Sequence, residues 1–214
     1  MTRRLGVALL PCTDHTRSAI RLQKEVGGDH SLQPSLSSSG NLPHLTIFQG
    51  PFTDALVPTR ELAGIVGALK LPRELTLAST GIVYQATGWI FMSVERTALL
   101  DRLQEVALEA LDPYLERTAF DTSKETRHFS DNERASFAKY GYRYTGDAYA
   151  PHITLGRTGE DVALELVRSA PDRTSVPEEW TFDRLSFYVM GEHGAHAEKL
   201  AERTLGGCEL PSVY

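Results

Sequence analysis

Two short stretches of this 214-residue chain repeat one another, and they constrain its fold more than any other feature. Residues 42–50 read LPHLTIFQG and residues 150–157 read APHITLGR. Each holds proline, histidine, aliphatic, threonine and aliphatic in that order. One His-x-Thr pair alone means little in a chain with seven histidines; the repetition of the whole pattern is the signal. On an extended chain, residues i and i+2 share a face. His44 and Thr46 therefore project together, opposite Leu45 and Ile47, and His152 and Thr154 do the same opposite Ile153 and Leu155.

The elements around the two stretches repeat as well. RRLGVALLP (3–11) reads as a strand, and Asp14 as the N-cap of a helix that ends at Gly27-Gly28. A Ser/Gly/Pro-rich loop leads to the first motif. Leu62, Ile65, Val66 and Leu69 then fall at helical spacing, in a helix beginning near Thr53 or Pro58, and RELTLASTGIVYQ follows as a strand. The second round runs from a strand at WIFMSVE (89–95) through an amphipathic helix with Leu100, Leu103, Val106, Leu108 and Leu111. About 30 extra residues, near 118–148, precede the second motif, and no helix or strand is read in them. GEDVALELVRSA is the next helix and EEWTFDRLSFYVM the last main strand. Strand, helix, motif strand, helix, strand, twice over, describes an internal duplication. The expected organisation is one bilobal α+β domain with a first repeat at 1–87, a second at 88–192 and a C-terminal tail at 193–214. Ligand sites favour the cleft between such lobes.

Composition narrows the function. The formal net charge of −6 argues against an extended nucleic-acid-coating surface, which needs a basic stripe, but leaves room for a local phosphate pocket. No apolar run approaches a membrane span. The apolar part of the N-terminus, Leu5 to Leu10, is too short for a usual secretion signal and reads as the first strand. Cys12 and Cys208 match no zinc or CxxC spacing, so free thiols in a reducing cytoplasm are expected.

Two facing histidines suit paired acid and base work, because the ordinary imidazole pKa of about 6.5 lets one be protonated while the other is neutral. Threonine hydroxyls beside them can donate to non-bridging phosphate oxygens. With HLTI and HITL on duplicated halves, the chain resembles the 2H phosphoesterase superfamily, especially the bacterial 2′-5′ RNA ligase-like proteins. The resemblance implies antiparallel sheets lining a central cleft with helices outside. It also implies metal-independent, cofactor-free chemistry on a 2′,3′-cyclic phosphate or 2′-5′ linkage of a nucleotide or RNA end. By the resemblance His44 and His152 are the acid–base pair, while Thr46 and Thr154 hold phosphate. Arg157 corresponds to an arginine that often follows the second motif, and Gln49 stands at that offset in the first. Strict alternation would turn Arg157 away from the site unless the strand bends near Gly156.

Other residues are candidates for substrate contact. Tyr84 and Tyr188, on the closing strands of the two halves, can form aromatic walls for a base or pack in the core. Arg127, His128, Arg143 and Tyr144, in the extra segment, can read base or ribose or be solvated. His193-x-x-His196 reads as a charged helix start rather than a metal pair. No Gly-x-Ser-x-Gly elbow and no phosphate-binding loop occurs. The chain is expected to act as a monomeric enzyme. Its rival from another class is a binding module that retains nucleotide or RNA ends without turnover. A third reading, polar strand faces with no site, requires the two histidines to lie far apart.

Overall fold

Antiparallel strands form the centre of the computed structural model, which describes residues 2–206. The first round comprises β1 (Thr2–Pro11), α1 (Thr13–Gly27), β2 (Leu45–Thr53), α2 (Pro58–Gly67) and β3 (Leu75–Gln85). The second comprises β4 (Trp89–Val94), α3 (Ala98–Leu111), α4 (Asp131–Tyr140), β5 (His152–Arg157), α5 (Glu160–Arg173) and β6 (Glu179–Met190). A last strand, β7 (His196–Thr204), follows. Apart from α4 and β7, the element order is the duplicated one that the sequence predicts.

The strands pair in the order β1-β2-β5-β4-β3-β6-β7, with β1 also paired to β6. The ladders form one seven-stranded sheet made of two sub-sheets. In β2-β1-β6-β7 the registers are long, as in Leu5↔Val189 to Pro11↔Phe182 between β1 and β6. In β3-β4-β5 the ladder runs from Ser79↔Val94 to Gln85↔Trp89 and continues onto β5. The sub-sheets join through Leu75–Ala78 of β3 against Glu179–Phe182 of β6, and through the single pair Leu45↔Ile153.

The sub-sheets do not divide where the sequence repeats do. β3 belongs to residues 1–87 yet sits beside β4 and β5, and β6 belongs to residues 88–192 yet lies between β1 and β7. Each lobe is thus assembled from both halves of the chain. The helices cross over too: α1 and α5 pack together against β3, β4 and β5, while α2 and α3 pack against β2, β6 and β7. A strand's alternation fixes which face is apolar but not which strand it pairs with, so the swap was invisible in the sequence.

Local chemistry explains the element ends. Pro58 sits at the first turn of α2, where its missing N–H costs nothing. Thr97 caps α3 by accepting from the Leu100 N–H. The helix Leu100, Leu103 and Leu111 are fully buried, each contributing about 1.5–3 kcal/mol of transfer free energy. α1 begins at Thr13 with Cys12 as N-cap, two residues before the expected Asp14, which lies in its first turn. α4 shows no apolar stripe in the sequence, because none of its residues is buried. Its signal was different: Ser130 and Glu133 form a reciprocal capping box, and Gly141 ends the helix with φ 68°.

Where the sequence suggests a C-terminal tail over 193–214, residues 196–204 form β7 on the edge of β6. His193 and His196 do not start a helix. His193 is in a single 3-10 turn with φ 59°, and His196 opens the strand. Cys12 is a free thiol, and Cys208 lies outside the described residues. No helix among those residues is long and apolar enough to cross a membrane.

Candidate active site

The join between the two sub-sheets is where the two motifs meet. Leu45 and Ile153 are antiparallel partners, so the residues beside them also face each other, Thr46 beside His152 and His44 beside Thr154. Directly opposite side chains on such a pair are about 4.5–5.5 Å apart at Cβ. Leu45 and Ile153 are fully buried beneath. The four polar side chains open onto one cavity of about 450 Å³. Polar strand faces without a common site are therefore excluded.

The same anchoring holds both imidazoles. His44 Nδ1 lies 2.8 Å from the Leu42 carbonyl oxygen and His152 Nδ1 2.6 Å from that of Ala150, in each case two residues back. A carbonyl only accepts, so each Nδ1 carries the proton and donates. The neutral ring then has a bare Nε2 as its acceptor. His152 is stacked on Phe91, with ring centres 3.8 Å apart at 11°. His44 rests against Tyr188 at 5.1 Å, and its Nε2 is 3.4 Å from the tyrosine hydroxyl.

Arg157 does reach the site, and a β-bulge is the reason. Opposite β4 the register runs Phe91↔Thr154 and then Ile90↔Gly156, leaving Leu155 as an extra residue. A bulge shifts alternation by one, so Arg157 shares the face of Thr154 and lines the cavity. Gly156 supplies the backbone angle required, φ 126°. The first motif has a matching bulge. Against β1 the register runs Ala8↔Thr46 and then Val7↔Phe48, leaving Ile47 extra and turning Gln49 into the cavity.

Each bulge is locked by a buried glutamine from a helix. Gln104 of α3 donates to the Ile47 carbonyl at 2.9 Å and to that of Tyr144 at 3.0 Å, and accepts from the Gly146 N–H at 2.9 Å. Gln23 of α1 donates to the Leu155 carbonyl at 2.7 Å and to that of Pro34 at 3.0 Å, and accepts from the Leu36 N–H at 2.8 Å. So each glutamine satisfies a carbonyl of the bulged residue and ties down a loop bordering the cavity. These two residues escaped the sequence reading. A glutamine at an apolar helix position is the signal that betrays them.

The proposed aromatic walls fall elsewhere. Tyr188 is fully buried and does not line the cavity. Its hydroxyl donates to Gln49 Oε1 at 3.4 Å and its ring stacks on His196 at 4.4 Å, making it a prop under His44 rather than a surface for a base. It crosses Gly6, where an added Cβ would stand 2.5 Å from the tyrosine ring, so only glycine fits there. Tyr84 pairs with Ile90 on the ladder away from the cavity lining. Trp89 and Phe91 line the cavity instead. Period-two alternation in WIFM does separate this pair from the buried Ile90 and Met92.

The extra segment forms one wall, supplying His128, Phe129, Tyr142, Arg143 and Tyr144. Arg143 lies over the Tyr144 ring at 4.4 Å and 3.7 Å from Glu133. Arg127 is solvated and pairs with Glu125 at 2.9 Å. His193 lines the cavity beside Trp89, 5.6 Å between rings, whereas His196 is buried against the Ser186 hydroxyl at 2.9 Å. Among the described residues no group of three or more metal-binding side chains occurs.

Burial sets the charge states. It pushes the His44 pKa below 6.5, against the opposing pull of the Leu42 carbonyl. It lowers His152 to about 4, helped by Arg143 and His44 and opposed by the Ala150 carbonyl. It lowers His196 to about 3, with His44 adding to the effect. Unfolding restores the ordinary 6.5, so the unfolded chain binds more protons. The stability these groups confer is complete above pH 6.5 and is lost as pH falls towards the folded values of about 4 and about 3. Urea midpoints at about pH 7 and pH 5 check this: His196→Asn should lose less stability on acidification than the parent, and an equal loss would refute the assignment.

No protein-family model matches this chain, and no curated protein sequence matches it. Solved structures do. LigT of E. coli, complexed with 3′-AMP, has a TM-score of 0.55 at 12% identity, covering 96% of this chain and 99% of LigT. TT0787 of Thermus thermophilus has a TM-score of 0.52 at 17% identity, covering 95% and 98%. A protein described as a phosphoesterase has a TM-score of 0.51 at 13% identity, covering 96% and 99%. The chain therefore has the fold of LigT, over nearly the whole length of each chain.

Proposed function

We propose that this protein is a phosphoesterase acting on a phosphodiester of a nucleotide or RNA end, most directly a 2′,3′-cyclic phosphate, with a 2′-5′ linkage as the related substrate. The observation that carries this reading is the paired anchoring of His44 and His152. Each ring is oriented through Nδ1 by its own backbone, with Nε2 on the opposite edge and a threonine hydroxyl across the strand pair. A cleft that only retained its ligand would need neither orientation.

In the proposed reaction the phosphate sits between the motifs. The Thr46 and Thr154 hydroxyls and the Arg157 guanidinium donate to its non-bridging oxygens. The Nε2 of one histidine takes a proton from water as the water oxygen bonds to phosphorus. The bond from phosphorus to one ribose oxygen breaks, and the other histidine, protonated, gives its proton to that oxygen. Arg157 is held for this role, with Nε donating to the Thr87 carbonyl at 2.7 Å and the guanidinium 5.8 Å from the Trp89 ring centre. Trp89 offers a stacking surface for a base. That LigT was crystallised with 3′-AMP fits, since opening a 2′,3′-cyclic phosphate at the 2′ oxygen leaves a 3′-phosphate.

The test is hydrolysis of 2′,3′-cyclic nucleotides in the presence of EDTA across about pH 5 to 9. Turnover with a bell-shaped pH dependence is expected. Binding without turnover would assign the cleft to a retention module instead.

A further inference from the structure

The cavity is far more basic than the chain. Four cationic side chains line it, Arg4, Lys124, Arg143 and Arg157, beside one carboxylate, Glu125, in a protein of net charge −6. Glu125 is itself taken by Arg127 at 2.9 Å. Arg157 lies beside Thr154, so one cation serves the phosphate at the histidines. Arg4 and Lys124 lie elsewhere.

Their place follows from the register. Ala8 faces Thr46, Gly6 faces Gln49, and Arg4 faces Pro51, all on the cavity side of β1 by alternation. Arg4 is therefore about 13 Å along the strand from the position opposite Thr46, and its long side chain can shorten that span. Lys124 comes to the same end from the extra segment. A second, smaller cavity of about 70 Å³ is also lined by Arg4, Gln49, Lys124, Tyr142 and Met190, so the cleft continues past the two cations. Lys124 is cationic at some cost. Although the residue is exposed at the cleft, partial desolvation of its ammonium lowers its pKa first and Arg143 next, and Arg4 adds to this. Asp121 opposes them, and the Phe137 ring lies 5.5 Å away. Asp121 is exposed and already accepts from the Ser123 hydroxyl at 2.6 Å. Two like charges brought to one end of a cleft with this little compensation make a place for an anion.

We infer that Arg4 and Lys124 form a second phosphate subsite, so that the substrate is a 2′,3′-cyclic phosphate that also carries a phosphate on its 5′ oxygen, as the 3′ end of an oligoribonucleotide does. This rests on the assignment of the His–Thr centre as the first phosphate site. When a nucleotide's cyclic phosphate occupies that centre, its own 5′ oxygen is where the neighbouring phosphate lies, and the cleft runs from the centre to the two cations. Mononucleosides without the 5′ group use half the cleft.

The experiment has two arms. In the first, kcat/KM is compared for adenosine 2′,3′-cyclic phosphate with and without a 5′-phosphate. In the second, calorimetry compares binding of adenosine 3′,5′-bisphosphate and 3′-AMP. The 5′-phosphate should favour both by about tenfold or more, the worth of one or two charge-assisted hydrogen bonds. Arg4→Ala and Lys124→Ala should each bring the ratios close to one. Equal values with and without the 5′ group in the wild type, or ratios unchanged in both variants, would overturn the subsite. Absence of turnover on either cyclic substrate, with the bisphosphate still preferred in binding, would overturn the hydrolytic reading and leave the subsite standing.

Discussion

Replacing His44 or His152 by alanine should each lower kcat on a 2′,3′-cyclic nucleotide by about 10²- to 10⁴-fold, the usual worth of a positioned acid or base. The double variant should lose little beyond the worse single one, because an acid and a base that act in one step fail together. KM should change less than kcat, since the threonines and Arg157 still bind phosphate. The pH dependence sharpens the expectation. Activity needs one imidazole protonated and the other neutral, yet in the empty site burial lowers both, His152 to about 4. The bell in kcat/KM, which reports the free enzyme, should therefore centre below 6.5, the ordinary imidazole value. An anionic phosphate beside the rings favours the imidazolium, so the bell in kcat should lie at higher pH. Steady-state rates of the four proteins across pH check all of this. Single variants with wild-type turnover would reduce the histidines to structural residues.

Gln104→Leu and Gln23→Leu should cost about 3 kcal/mol or more each, at roughly 1–3 kcal/mol per group left without its partner. The first leaves the Ile47 and Tyr144 carbonyls and the Gly146 N–H without this partner. The second leaves the Leu155 carbonyl and the Leu36 N–H without it, the Pro34 carbonyl keeping Asn41 at 3.4 Å. For a chain of this size that corresponds to a fall in Tm of about 6–12 °C. The two variants should differ in function. Gln23 locks the bulge at Leu155, which turns Arg157 to the cavity, so its loss should raise KM for a phosphate substrate. Gln104 locks the bulge at Ile47 and the extra segment through Tyr144 and Gly146, so its loss should disturb the Gln49 side and the cavity wall. Thermal unfolding together with KM measures both effects. A Tm unchanged by either substitution would show that water satisfies these carbonyls as well as the glutamines do.

The sequence determined the local parts of this protein. Alternation in LPHLTI and PHITL put the histidines and threonines on one face and the aliphatics on the other. Repetition of strand, helix, motif strand, helix, strand revealed the duplication, because both signals depend only on residues a few positions apart. The tertiary structure decided everything that depends on which strand lies beside which. It exchanged β3 and β6 between the lobes, gave residues 196–204 an edge strand to complete, and buried Tyr188 under His44 while leaving Trp89 to face the cavity. Most of all it decided Arg157. Strict alternation points that residue away from Thr154, and only a register shift against β4, held by a glutamine from a helix far away in sequence, turns it back. A bulge is a property of two strands together, and its energetic support came from a third element, so no single stretch of the chain could announce it.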